Sequence, residues 1–327
     1  MFRKFAFALL IVTLFLAACG PSMTATPAPA ATQPPATEQP AAILQPTAAP
    51  IVLTDGLGRT VMLTGPAQRV VSLAPSNIEI LYAVGAGPQV VGRDTFSDYP
   101  AEAQQATDIG GGFGQLNIEI ILTLEPDLIL AAELTPPEQV KELEALGLTV
   151  FLLPNPTDFD GLYDTFLTVA RLTGHEEQAQ VLIEDLQARV AAVEEKLAGA
   201  TERPLVFYEL DASDPNAPWT SGPGTFIDML ITMAGGQNIG STLEGAWVQI
   251  SLEELLVRDP DLILLGDYTW GGVTPEDVAG RAGWDALSAV KNGRVYPFDD
   301  NLVSRPGPRL VDGLEAMAEL FYPELFK

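Results

Sequence analysis

The sequence predicts an α/β fold of two mainly parallel-sheet lobes joined by a single long backbone helix. Three observations predict it. Between Thr173 and Gly199, Leu182, Leu186, Val190, Val193 and Leu197 recur at steps of four, four, three and four, one face of a helix. On either side, short β-branched runs alternate with helical segments, the pattern of parallel strands with helices on their faces. The two flanks also repeat each other. Asn117-Ile-Glu119 through Pro126-Asp127-Leu-Ile-Leu130 is echoed by Ser251-Leu-Glu253 through Pro260-Asp261-Leu-Ile-Leu264, with cap, glutamate, proline and aspartate in register. A repeat of this length across a strut predicts two related lobes with a cleft between them.

The elements follow in order. Arg3 and Lys4, an apolar run from Phe5 to Leu16 and small residues before Cys19 predict an export signal over residues 1–18. Residues 19–50 are almost wholly Ala, Pro, Thr and Gln, a composition that cannot bury a core and predicts an extended tether. The first lobe is assigned to residues 51–172. It opens with two short strands around Asp55-Gly56, then a strand at Arg69–Leu73, a helix from Pro75 to near Gly85 and a strand at Gln89–Gly92. A glycine-rich loop, Gly110–Gly114, leads to a helix capped at Asn117. A strand enters after Pro126, a helix covers Pro137–Leu146 and a strand Leu148–Leu153.

The backbone helix is assigned to residues 173–199. Thr173 and Glu176 form its expected capping box, and Gly199 its expected left-handed C-terminal cap. About 25 residues of straight helix reach roughly 37 Å. The second lobe, residues 200–327, has a strand at Leu205–Leu210, a helix at Thr225–Ala234 and the repeat copy. Its final helix runs to about Phe321.

The net charge of −26 opposes binding to nucleic acid phosphates. The single cysteine excludes an internal disulfide, and the single histidine, His175, reads as a solvated or capping residue. No G-x-S-x-G elbow, dinucleotide glycine motif or P-loop occurs. Metal capture through several imidazoles lacks its ligands. Catalysis is therefore not expected, and neither a catalytic residue, a cofactor nor a metal site is assigned. What remains is aromatic and cationic. Phe96, Phe113, Trp219, Trp247, Tyr268 and Trp270 are all expected in loops beside strands and helices, where α/β proteins place ligand contacts. Arg305 and Arg309 flank Pro306-Gly307-Pro308 in another such loop. Flat walls with guanidinium groups suit a large, partly apolar ligand bearing carboxylate or amide groups.

Leu16-Ala17-Ala18-Cys19 resembles a bacterial lipobox, which implies cleavage before Cys19 and its lipidation. From Ile51 to Lys327 the chain resembles the class III substrate-binding proteins of ABC importers, which serve iron-siderophores, haem and cobalamin. The resemblance rests on Arg69–Glu79, on Asn117–Ile129 and on the copy from Ser251. It implies a lipid-anchored monomer facing the periplasm or cell exterior, without catalysis, that hands its ligand to an ABC permease dimer with ATPase subunits. It also implies that Glu119 and Glu253 meet permease arginines. Four segments resemble the cobalamin-binding branch: Thr95–Pro100, Asn216–Gly222, Ala246–Ser251 and Ser304–Arg309. They imply Phe96, Trp219, Trp247 and Arg305 as ligand contacts. The chain departs from that branch at Gly112-Phe113, where the branch carries tryptophan, and the hairpin at Ile51–Leu63 is more usual in iron-siderophore members. The expected ligand is a corrinoid first and a ferric siderophore second. The alternatives from other classes are a cell-surface hydrolase on a similar scaffold and a divalent-metal receptor.

Overall fold

A computed structural model describes residues 49–112 and 115–327. The export signal, Cys19, nearly all of the tether and Phe113 lie outside the described residues. From residue 49 onward the chain falls within one compact unit, Thr47–Lys327.

The first half begins with an antiparallel hairpin, β1 (Ile51–Thr54) and β2 (Thr60–Leu63). Asp55 closes its turn by accepting from the amides of Leu57 (3.0 Å) and Arg59 (2.9 Å). Then follow β3 (Val70–Ser72), α1 (Pro75–Ala83), β4 (Val90–Arg93), β5 (Thr107–Asp108), α2 (Ile118–Thr123), β6 (Leu128–Ala132), α3 (Pro137–Ala145) and β7 (Val150–Leu153). The five strands β3–β7 form one parallel sheet in the order β5-β4-β3-β6-β7. β6 and β7 are buried at every position, as strands covered on both faces must be.

Two helices, not one, occupy the middle. α4 (Phe159–Thr173) was not foreseen, although Asp158 caps it by accepting from Gly161 N–H at 2.7 Å. Thr173 ends this helix instead of starting the next: its hydroxyl donates back to the Val169 carbonyl (2.8 Å). Gly174 then turns left-handed (φ 81°), and its amide and that of His175 both return to the Ala170 carbonyl. The expected Thr173–Glu176 capping box is therefore absent, because a glycine free to adopt positive φ stops the chain between them. The long helix, α5 (Glu176–Leu197), has 22 residues and starts after His175, whose side chain makes no capping bond. Its last turn ends on Ala198 in right-handed geometry, so Gly199 is not the left-handed cap expected of it. Ala179, Ile183, Leu186, Val190 and Val193 form its buried face. Each of the four larger side chains there, Ile183, Leu186, Val190 and Val193, contributes about 1.5–3 kcal/mol of transfer free energy.

The second half contains β8 (Leu205–Glu209), β9 (Trp219–Ser221), α6 (Phe226–Met233), β10 (Gln237–Asn238), β11 (Trp247–Gln249), α7 (Leu252–Arg258) and β12 (Leu262–Leu265). They are followed by α8 (Tyr268–Gly271), α9 (Pro275–Ala279), α10 (Ser288–Lys291), β13 (Val295–Pro297) and α11 (Leu310–Phe321). Its main sheet is parallel, in the order β10-β8-β12-β13. β9 and β11 form a separate antiparallel pair. One apolar cluster continues from β3, α1 and α4 through α5 to β8, α6 and α11, so α5 is packed into both halves. Arg189 adds an ion pair from α5 to Asp312 and Glu315 of α11 (2.5 Å each).

The repeat is structural as well as sequential. Asn117 and Ser251 cap α2 and α7, accepting from Ile120 N–H (3.1 Å) and Glu254 N–H (3.2 Å). Asp127 then accepts from the amides of Gln68 and Arg69 at the start of β3, and Asp261 accepts from Leu205 N–H at the start of β8. Glu125 (φ 46°) and Asp259 (φ 47°), the non-glycine residues with positive φ among the described residues, occupy matching places in the two copies.

Candidate functional site

In both sheets the parallel strands deliver their C-terminal ends to loops that meet each other. The contact is made by α1 and the loop after β4 on one side, and by the segment between β13 and α11 on the other. Glu79, 2% exposed on α1, receives a two-pronged bond from Arg309: Nε donates to Oε2 (2.9 Å) and Nη2 to Oε1 (2.6 Å). Arg305 Nη1 donates to Asp98 (2.6 Å) and to Glu79 Oε1 (3.3 Å), while its Nη2 reaches the Phe96 carbonyl (3.4 Å). The Arg309 guanidinium also lies 4.1 Å over the Tyr99 ring. Burial opposes the charge on Arg309, but the Glu79 carboxylate outweighs it and leaves the guanidinium harder to deprotonate than usual.

Each side of this junction is braced from below. Asp94, fully buried at the end of β4, accepts from Phe96 N–H (2.9 Å) and from the Ser97 hydroxyl, which fixes the loop presenting Phe96. Burial pushes its carboxyl pKa up, and those two bonds hold it back. Opposite, Tyr208 donates to Asp300 (2.6 Å), and Thr269 of α8 both accepts from Asp300 N–H (2.8 Å) and donates to the Phe298 carbonyl (3.1 Å). Burial and then the neighbouring acids raise the Tyr208 pKa well above the usual phenol range. Beside α8, Arg281 forks onto the fully buried Glu209 (2.6 and 2.8 Å). Asp267 is buried next to that pair. Desolvation first, then the Glu209 carboxylate, lift its pKa to about 7, and its Oδ1 is buried without a donor.

The aromatics expected in loops are distributed differently. Phe96 does lie in the loop after β4. Trp219 and Trp247 instead open β9 and β11, and the register Trp219↔Gln249, Ser221↔Trp247 sets both on one face of that strand pair. Trp247 packs edge-on against Phe226 with centroids 5.8 Å apart. Tyr268 and Trp270 sit on α8. Together with Phe96 these residues are 41% (Trp219) to 60% (Trp270) exposed, far more than large rings used as core. Arg305 lies in the expected loop, and Arg309 is the cap residue of α11. Glu119 and Glu253 are exposed in the first turns of α2 and α7, where the helix dipole favours a carboxylate.

Sequence reasoning missed the partners. Glu79, Asp98 and Tyr99 stood inside recognised segments without an assigned role. The available signal was a glutamate set between Ile78 and Ile80 on a helix, a charge where burial is expected. A separate concavity of about 680 Å³ is lined by residues that include Arg69, Tyr82, Glu102 and Leu124. It is open and is lined by none of the junction's ion-pair residues or the exposed aromatics. Among the described residues, no group of three or more His, Cys, Asp or Glu side chains is placed to hold a metal ion.

Two parallel sheets with facing C-terminal ends, an exposed aromatic set and a rigid helical link define a two-lobed α/β binding protein. The chain belongs to the periplasmic binding protein family, which it matches over residues 70–302. It is 33% identical over 283 residues to the ABC transporter substrate-binding lipoprotein YvrC of Bacillus subtilis, covering 85% of this chain and 87% of that one. It is 32% identical to a cobalamin-binding protein of Halobacterium salinarum, over 84% of this chain and 74% of that one. The crystal structure of the periplasmic vitamin B12 binding protein BtuF of Vibrio cholerae superposes with a TM-score of 0.68 at 29% identity, covering 80% of this chain and 99% of that one. The fold is thus the class III arrangement, and the function is that of the family, substrate binding for an ABC importer.

Proposed function

We propose that this protein is a lipid-anchored receptor that captures a bulky chelate between its two lobes and hands it to an ABC permease. A corrinoid is the ligand of first choice. The observation that carries this reading is the set of half-exposed aromatics, with Phe96, Tyr268 and Trp270 following the C-terminal ends of β4 and β12 and with Trp219 and Trp247 sharing one face of the β9–β11 pair. Such walls suit the face and edge of a macrocycle. The cobalamin-binding relative supports the same choice. A ferric siderophore is the second reading, favoured by the β1–β2 hairpin. Cys19 carries the lipid, Glu119 and Glu253 face the permease, and no substrate is turned over.

Calorimetric titration of the purified full chain with cyanocobalamin, and separately with ferric siderophores, tests the ligand. One-to-one cobalamin binding that weakens about tenfold or more in Trp247→Ala is expected, given that truncating an aromatic anchor costs about 1–2 kcal/mol or more. Silence with cobalamin and heat with a siderophore would replace the first reading by the second. For docking, Glu119→Arg with Glu253→Arg should abolish uptake in cells while leaving titrations unchanged, and surviving uptake would refute that role.

A further inference from the structure

The cations that a carboxylate-bearing ligand would need are already taken. Arg305 and Arg309 are held by Glu79 and Asp98, and Arg281 by Glu209. The other segments that end the strands, residues 94–100, 210–218 and 266–274, contain no lysine or arginine, yet they contribute Asp98, Asp211 and Asp214 at the surface, besides the buried Asp94 and Asp267. Asp299 and Asp300 add further acid beside the arginine segment. The cleft rim is therefore neutral to acidic, and it is rich in acceptors and aromatic faces.

We propose that Glu79 makes this cleft select against ligand carboxylates, by sequestering the two guanidinium groups that would otherwise bind them; the inference rests on the capture of a chelate in this cleft. A carboxylate entering here must either displace a buried, doubly paired glutamate or stand unpaired among aspartates. Both are costly, since breaking one partner out of a buried ion pair leaves an uncompensated charge. A neutral chelate edged with amides meets neither obstacle. Its N–H groups find acceptors in the surplus carboxylates, and its apolar faces meet the rings. The preferred substrate class is thus an amide-decorated or otherwise uncharged chelate. Propionate-bearing and citrate-type chelates are excluded by charge instead of shape.

Two matched ligand pairs test the proposal by titration of the full chain. One sets dicyanocobinamide, whose side chains are amides, against cobyrinic acid, in which they are carboxylates. The other sets an uncharged ferric trihydroxamate against ferric citrate. In the pair that binds, the uncharged member should bind about 100-fold tighter or more, the scale set by an unpaired buried charge. Glu79→Gln should shrink that ratio about tenfold, and Asp98→Asn, whose side chain is largely exposed and whose loss threatens folding less, about threefold. Equal binding of the carboxylate member, or a ratio unmoved in both variants while the uncharged member still binds, overturns this proposal alone. Binding by neither pair refutes capture of a chelate and takes the proposal with it.

Discussion

Asp267 gives the sharpest quantitative expectation. Its carboxyl has a pKa of about 7 in the folded protein against 3.8 for a free side chain, because burial and the adjacent Glu209 disfavour its charge. For an acid raised in this way, the folded state holds the proton that the unfolded state has already released. Stability is therefore unaffected below about pH 4, falls as pH rises towards 7, and levels off above it. With one pKa unit worth 1.36 kcal/mol, the loss from pH 5 to pH 8 comes to roughly 2.5 kcal/mol. Asp267→Asn removes the titration and keeps the shape. Other groups titrate in both proteins, so the difference between them isolates this one. Urea unfolding followed by tryptophan fluorescence at pH 5, 6, 7 and 8 should show the variant gaining on the parent by about that amount across the range. A difference that is constant with pH would refute the reasoning, whatever its sign.

Three further outcomes follow from geometry. At Gly222 an added Cβ would lie 1.9 Å from the Gly245 carbonyl oxygen, so Gly222→Ala should cost on the order of 3 kcal/mol and disturb the β9–β11 pair that carries Trp219 and Trp247, read as a lower denaturation midpoint and altered fluorescence. Glu125→Gly relieves a left-handed backbone and should stabilise by about 1 kcal/mol. The matching Asp259→Gly should destabilise instead, because Asp259 also accepts from the amide and hydroxyl of Ser288 at 2.6 and 2.7 Å; calorimetric midpoints moving the same way in both variants would contradict this.

Periodic, locally encoded features were legible in the sequence. The caps Asn117 and Ser251 and the strands they precede follow from side-chain type and spacing within a few residues. The start of the long helix was misread because Thr173 and Glu176 mimic a capping box, while the deciding residue between them is a glycine that adopts positive φ. α4 went unread despite Phe159, Leu162, Phe166 and Val169 at helical spacing and Asp158 as its cap. β9 and β11 are three residues long, too short for alternation to emerge, and their register comes from pairing across the intervening helix. The site's ion pairs join residues 226 and 230 positions apart. Local pattern carries no information about such partners, and it offered Arg305 and Arg309 as cations open to ligand when Glu79 already holds them.

The 22-residue α5 also sets a mechanical scale. At 1.5 Å per residue it is a beam of about 33 Å, so 1 Å of slip at one end tilts it by only about 2°. With its buried face locked into a cluster that runs through both halves, even that slip must be met by repacking close-packed side chains. Tilting α5 to widen the cleft is thus opposed by that packing, which leaves the surface rings and loops as the parts freest to adjust around a guest.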